Sequence, residues 1–192
     1  MINNRIEIFK TIHTSMSNGI RAGKSKEARK WMEQKGLSID LTHACFNSGQ
    51  MHHRREESFI EALKSVGFLK ENGINGKKEG NPPAYTSFGK EAIVFPLRNE
   101  NNEVVNFHAI RINMEKETTE YLNYKGLYPC YPSPQTTKLY ITNTILEAAT
   151  LIESRVMDNR DAVISLHNGV IEEVHYLAIK ELKQLETIIL IK

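Results

Sequence analysis

The stretch KLYITNTILEAATLIE (residues 138–153) decides the fold class of this chain. Its apolar residues form a short continuous run over Leu139–Thr142 and then recur at helical spacing from Ile145 onward, which predicts a strand that leads into a helix. The elements predicted after them are a strand over 162–166, a turn at Asn168 and Gly169, a helix that includes Val174, Leu177, Ala178 and Leu182, and a strand over 187–191. This βαβαβ order predicts a parallel sheet with right-handed crossovers.

The carboxyl end of the first of these strands carries polar residues. Asn143, Thr144 and Glu147 follow the strand directly, and ligands of parallel sheets bind at the carboxyl ends of the strands. Glu147 is also an exposed acid in the first turn of the predicted helix, where the helix dipole favours a negative charge.

This segment resembles the Toprim domain, the catalytic sheet of bacterial primases and topoisomerases. Leu139–Leu151 resembles the first Toprim motif, with Asn143 where the family has a glutamate and Glu147 where it has a second acid. Leu166–His175 resembles the strand, turn and helix that follow in primases. The resemblance implies a site that holds Mg²⁺ for phosphoryl transfer. Glu147 is then a vestigial metal ligand; the alternative, an exposed acid at a helix start, stays open. Because Asn143 is neutral and a second acidic motif would begin only at Lys192, we expect magnesium binding to be weak or absent.

The middle of the chain resembles the catalytic core of bacterial DNA primases. The resemblance rests on residues 95–97 (FPL), on Arg111 and on residues 121–123 (YLN). It implies that Arg111, Tyr121 and Asn123 bind the template or the nucleotide. Two departures from the family pattern, Ala92 and Glu120, remove positive charge from the region in which these residues are expected.

A cationic segment precedes this block. Residues 47–55 (NSGQMHHRR) resemble a stretch in primase-related proteins of bacterial mobile elements, and His52, His53, Arg54 and Arg55 form the densest cationic cluster of the sequence. We interpret the cluster as a phosphate or base contact; the alternative is a polar turn before the next helix. No further cysteine, histidine or acid falls at ligand spacing from the two histidines, so a zinc site is not expected.

The remaining pattern predicts an α+β chain in four parts. These are a helical N-terminal subdomain (1–80), a small antiparallel sheet (84–124), a linker (125–137) and the partial Toprim domain (138–192). Within the first two parts the predicted elements are helices over 2–16, from about Ser25 to Gly36 and over 56–69, a turn at Ser17, Asn18 and Gly19, a loop over 72–83, and strands over 92–97 and 104–112.

Composition excludes several classes of protein. The 192 residues are 40% hydrophobic and 25% charged, which is typical of a globular chain. No apolar run approaches the ~20 residues of a membrane span, and the first residues lack the apolar core of a signal peptide, so we expect a cytoplasmic protein. Cys45 and Cys130 are far apart, which favours reduced thiols. Residues 1–80 carry 14 basic against 9 acidic residues, and residues 81–192 carry 11 against 14.

Two functions fit these patterns. One is a primase-related nucleotidyltransferase that makes RNA primers on single-stranded DNA, for a chromosome or a mobile element, with nucleoside triphosphates as substrates and a replicative helicase as partner. The other is a non-catalytic module that binds single-stranded nucleic acid or a replication partner. A nuclease or topoisomerase is a weaker third, since no catalytic tyrosine stands out. The apolar last strand also predicts an edge that a homo-oligomer or a longer chain covers.

Overall fold

The computed structural model describes residues 4–53, 55–72, 85–112 and 117–191. It confirms the predicted α+β class, with an antiparallel sheet, a three-stranded parallel sheet and flanking helices. The elements in chain order are α1 (Arg5–Arg21), a short 3₁₀ turn (Gly23–Ser25), α2 (Lys26–Gln34), α3 (Ile39–Thr42), β1 (Cys45–Asn47), α4 (Glu57–Ser65), β2 (Leu69–Glu71), β3 (Tyr85–Ser87), β4 (Ala92–Arg98), β5 (Val104–Arg111), β6 (Thr118–Tyr121), β7 (Lys138–Thr142), α5 (Ile145–Ser154), β8 (Asp161–Ser165), α6 (Glu173–Lys180) and β9 (Thr187–Leu190).

The antiparallel sheet has the strand order β1-β4-β5-β6 and is buried on both faces. Val94 and Phe107 belong to a core cluster with residues of α1 and α4. Ile93 and Phe95 belong to a second cluster with residues of α2 and α5. Because helices cover both faces, β4 is buried from Ala92 through Leu97 and reads as a continuous apolar run rather than as an alternating one.

The parallel sheet has the order β8-β7-β9, as the βαβαβ pattern predicts. Ala148 of α5 packs with Val163, whereas Ala178 of α6 packs with Leu139 and Ile164, so the two helices lie on opposite faces. The change of face occurs between β7 and β9, which makes the carboxyl end of β7 the point where such sheets bind ligands. In the described part of the chain, the outer edge of β9 pairs with no strand.

The segment 126–128 joins the two sheets. Arg98 and Leu127 exchange two backbone hydrogen bonds of 2.9 Å, and the carbonyl of Tyr128 accepts a 3.0 Å bond from the Ser165 amide. The Tyr128 hydroxyl donates to the Thr42 carbonyl at 3.0 Å. Leu127 and Tyr128 are buried, so this portion of the predicted linker is a bridge between the sheets.

The turn predicted at Ser17, Asn18 and Gly19 is wrong, because α1 continues through these residues to Arg21. The glycine serves close packing and does not end the helix. A Cβ atom on Gly19 would lie 2.9 Å from the backbone oxygen of Phe46. Only a residue without a side chain allows β1 to approach α1 this closely.

Other predicted boundaries also moved. The helix predicted over 56–69 ends at Ser65, and Leu69 begins a strand. Strands β1, β2 and β3 were not predicted, because three residues are too few to show a period. Residues 73–84, which include most of the predicted loop, lie outside the described residues. Among the helices that are described, none combines the length and the apolar character needed to span a bilayer.

The contact at Gly19 gives a stability prediction. Gly19→Ala is expected to lower the free energy of unfolding by about 1–3 kcal/mol, since the added methyl group meets backbone that cannot rotate away. Urea denaturation monitored by circular dichroism measures this. Gly23→Ala is the matched control, because its Cβ would meet no atom within 4 Å. Equal effects of the two substitutions would contradict the packing argument.

Candidate nucleic-acid interface

The carboxyl end of β7 holds Asn143, Thr144 and Glu147 in a helix cap. Glu147 Oε2 accepts hydrogen bonds from the backbone amides of Asn143 at 2.8 Å and Thr144 at 3.0 Å. The Glu147 amide in turn donates to Thr144 Oγ1 at 3.3 Å. This reciprocal capping box satisfies donors that a helix start otherwise leaves unpaired. The carboxylate of Glu147 therefore occupies the place at the start of α5 that an external anion would take.

The residues at this edge do not fit a magnesium ion. Magnesium in proteins is held by carboxylates, waters and substrate phosphates in octahedral geometry. Asn143 offers a neutral, exposed carboxamide, and Glu147 already accepts two backbone hydrogen bonds. Nowhere in the described ranges do three or more histidine, cysteine, aspartate or glutamate side chains converge as metal ligands.

Tyr121 belongs to a stack of four rings where the two sheets meet. The ring centroids are separated by 4.3 Å from His108 to Tyr121, 4.7 Å from Tyr121 to His167, and 4.9 Å from His167 to His175. The stack connects β5 and β6 with the end of β8 and with α6. His175 is the neutral tautomer that donates from Nε2 to the Ser165 carbonyl at 3.1 Å and accepts at Nδ1 from the Glu172 amide at 2.9 Å.

The ring stack is electrically neutral. Burial, with a smaller contribution from a neighbouring histidine, lowers the pKa of His108 to about 3 and that of His167 to about 4. Burial also raises the pKa of Tyr121. Within the described residues, His108 Nδ1, His167 Nδ1 and the Tyr121 hydroxyl have no hydrogen-bond partner of ordinary geometry, although the hydroxyl faces the backbone of Asn168. Tyr121, predicted as a nucleotide contact, thus packs the sheets together.

Asn123 is also engaged in structure. Its Nδ2 donates to the Val105 carbonyl at 3.1 Å and its Oδ1 accepts from the Lys125 amide at 2.8 Å. Its own amide donates to Asn106 Oδ1 at 3.0 Å. Both ends of the carboxamide are therefore bonded within the chain, where they fix the turn after β6.

Arg111 lies at the end of β5 and is paired with an acid. Its Nη2 is 2.9 Å from Glu120 Oε1, and the same oxygen accepts a bond from the Gly89 amide at 3.1 Å. The two side chains are 38% and 39% exposed, so a ligand can reach the guanidinium. Glu120, which the sequence identified only as a loss of charge, directly neutralises the predicted binding residue.

The cationic segment after β1 is held by Asn47. Its Oδ1 accepts from the Gly49 amide at 2.9 Å, and its Nδ2 donates to the Phe88 carbonyl at 2.6 Å. Asn47 is 2% exposed and acts as a positioning residue. Sequence reasoning missed it, because the sequence shows only a polar residue at the end of a short apolar run. With a third bond, from Nδ2 to Ser87 Oγ at 3.1 Å, the side chain connects the loop to β3 and to the turn before β4.

Of the four cationic residues predicted here, the structure exposes two. His53 and Arg55 line a cavity of about 260 Å³ beside Gly19, and the Arg55 guanidinium lies 5.5 Å from the centroid of the Phe59 ring. His52 instead packs against Tyr85 at 5.5 Å, and burial lowers its pKa. Arg54 lies outside the described residues.

Strand register brings some of these residues to one end of the antiparallel sheet. Asn47 pairs with Ala92 and Ala92 pairs with Arg111, so the loop after Asn47 and the end of β5 lie at the same end of the sheet, on either side of β4. Lys90 precedes β4 at the same end, with its Nζ 3.9 Å from Glu91 Oε1. We call His53, Arg55, Lys90 and Arg111 the basic end. Asn123 contacts Val105 and Asn106 near the opposite end, and Asn143 and Glu147 lie on the other sheet, so the predicted binding residues do not form one site.

Comparisons with known proteins identify the architecture. No family model matches the chain, and no curated protein matches it in sequence. Solved structures match 97% of it: a DnaG primase catalytic domain bound to single-stranded DNA (TM-score 0.76, 13% identity), a DNA primase domain from Pseudomonas aeruginosa (0.76, 12%) and the E. coli primase catalytic core (0.73, 13%). The chain has the fold of a primase catalytic core.

The primase-core fold confirms the family resemblance at the level of structure. The chain covers 60%, 60% and 61% of those three solved chains, so it spans about three-fifths of the length of the primase structures that it matches. The likeness is one of fold, since the sequence identities are only 12–13%.

The capping role of Glu147 predicts that its removal lowers stability whether or not magnesium is present. Removal of a metal ligand would lower stability only in magnesium. Glu147→Ala is expected to lower the free energy of unfolding by about 1 kcal/mol through loss of the cap, equally in magnesium and in EDTA. Urea denaturation in both buffers measures this, with the exposed Glu186→Ala as control. A magnesium-dependent gain in stability that disappears in Glu147→Ala would show instead that the residue binds the ion.

The ring stack predicts acid sensitivity. Below pH 6.5 the unfolded chain takes up protons on His108 and His167, whereas the folded chain does not until pH falls to about 3 and about 4. The free energy of unfolding therefore decreases as pH falls through this window, by up to about 1.4 kcal/mol per pH unit for each histidine. His108→Phe should flatten the dependence measured by urea denaturation, and the exposed His53→Gln should not. An unchanged slope in His108→Phe would contradict the assignment.

Proposed function

We propose that this chain is a primase-related protein of DNA replication that binds single-stranded DNA at its basic end. The single observation that carries the proposal is the match to primase catalytic cores over 97% of the chain, one of them solved with single-stranded DNA bound. The resemblance of the cationic segment to proteins of mobile elements extends the proposal to replication of such an element as well as of a chromosome. Both settings are cytoplasmic.

The chemistry of the basic end supports contact with phosphates. Arg55 and His53 are exposed beside a cavity, and a guanidinium binds phosphate oxygens through several donors at once. Arg111 must exchange its carboxylate partner, Glu120, for a phosphate before it contributes. Binding of this kind depends strongly on salt, because each phosphate that is neutralised releases counterions.

Primer synthesis from nucleoside triphosphates is the second candidate function, and the fold favours it. It requires metal ligands other than those of the described residues, since Glu147 caps a helix and Asn143 is neutral. We therefore propose nucleic-acid binding as the activity of this chain by itself. A replicative helicase, or a second copy along β9, remains a proposed partner for synthesis.

Binding of a fluorescent oligothymidylate, followed by anisotropy over a range of salt, tests the proposal. Arg55→Ala is expected to weaken binding several-fold and to reduce the salt slope by about one. Glu120→Gln is expected to tighten binding, since it frees Arg111 but keeps an acceptor for Gly89. Lys183→Ala removes an exposed cation between α6 and β9; it is the control and should change nothing.

Two results would overturn the proposal. One is an affinity that does not respond to Arg55→Ala or Glu120→Gln, or that falls equally in Lys183→Ala. The other is magnesium-dependent primer synthesis by the unmodified chain on a single-stranded template. This would establish the second candidate function and refute the argument that the described residues do not fit a magnesium ion.

A further inference from the structure

A groove of about 480 Å³ lies at the end of the antiparallel sheet that is opposite to the basic end. The turn after β4, the segment after β6 and the start of α6 form its walls, so both sheets contribute to it. Its lining includes Asn99, Glu100, Val105, Tyr124, Lys125, Gly126, Tyr131, Glu172, Glu173, Val174 and Leu177. We call it the acidic groove. None of the residues predicted to bind nucleic acid belongs to it.

The charges of the acidic groove are unbalanced. Glu100, Glu172 and Glu173 face a single cation, Lys125. Across the described ranges, no ion pair within 4.0 Å neutralises any of these four residues. Burial, and after it the carboxylate of Glu100, raise the pKa of the Tyr131 phenol. The negative charge of Glu100 therefore acts on the tyrosine that lines the groove.

The groove also exposes apolar side chains. Tyr124 is 74% exposed and Leu177 is 51% exposed, and Tyr176 extends the apolar surface along α6 with 60% exposure. Val105 and Val174 line the space between them. Aromatic and aliphatic groups surrounded by charged residues are the usual composition of a protein-binding site.

These features together select one kind of ligand. Carboxylates repel the phosphates of a nucleic acid, and a small cation alone would leave Tyr124 and Leu177 exposed to water. A ligand with both positive charge and apolar groups satisfies the whole surface. We infer that the acidic groove docks a basic, amphipathic segment of a partner protein, with lysine or arginine against the carboxylates and an apolar side chain between Tyr124 and Leu177. This goes beyond the proposed function, since it uses the end of the sheet remote from DNA.

A synthetic peptide tests the inference with the whole chain. The probe is a fluorescein-labelled amphipathic helix of leucine, lysine and arginine, and the comparison peptide has glutamate in place of the basic residues. Anisotropy at low salt is expected to show saturable binding of the basic peptide and no binding of the acidic one. Glu100→Lys combined with Glu173→Lys should weaken binding about tenfold, as expected when two charged contacts are reversed.

Control variants separate docking from general attraction. Glu27→Lys combined with Glu33→Lys adds the same charge on α2, outside the groove, and should leave the affinity unchanged. Leu177→Ser should weaken binding at high salt as well as at low salt, since it removes an apolar contact, and Lys125→Glu should strengthen binding. Circular dichroism verifies that each variant is folded.

Three outcomes would overturn the inference. Equal loss of affinity in the α2 variant (Glu27→Lys with Glu33→Lys) and in the groove variants would show attraction to the overall charge. Displacement of the peptide by oligothymidylate would show that the groove belongs to the DNA site. Concentration-dependent self-association that Glu100→Lys and Glu173→Lys abolish would show that the occupant is the basic end of a second copy of this chain.

Discussion

The backbone of residues 126–128 holds the two sheets together, and the rest of the structure depends on it. Buried peptide groups must find hydrogen-bond partners, and here the partners come from both sides. Leu127 pairs with Arg98 of the antiparallel sheet, and Tyr128 accepts from Ser165 of the parallel sheet. Gly126 accepts from His167 Nε2 at 3.2 Å. These bonds fix the distance between the two sheets, and Tyr121 lies between His108 and His167 in the gap that results.

The antiparallel sheet separates two surfaces of opposite charge. Its basic end carries Arg55 beside the cavity at Gly19, together with Lys90 and Arg111, each of which is paired with a glutamate. Its other end carries the carboxylates of the acidic groove. A net charge of only +2 hides this separation. The arrangement allows one rigid sheet to present different surfaces to a nucleic acid and to a protein without competition between them, because like-charged ligands are repelled from the wrong end.

Features that depend on neighbouring residues could be predicted from the sequence, and features that depend on contacts between distant residues could not. The parallel sheet was readable because strands and helices of ordinary length alternate over residues 138–191. Both strands of the β4–β5 hairpin were readable because apolar residues predominate on either side of a polar turn. The cap was also readable in principle, since Thr144 and Glu147 have the spacing of a capping box. The ring stack was not, because residues 108 and 121 come from one sheet and residues 167 and 175 from the other part of the chain, and no local pattern shows that they meet. Gly19 was misread as a turn because sequence does not show what approaches a glycine.

The free edge of β9 has a further consequence for how the protein behaves in solution. Ile188 and Leu190 are 47% and 65% exposed, and in the described part of the chain the backbone groups along this edge have no neighbouring strand. An extended polypeptide segment can pair with such an edge and add a strand to the sheet. We therefore expect self-association on concentration to begin at these amide and carbonyl groups.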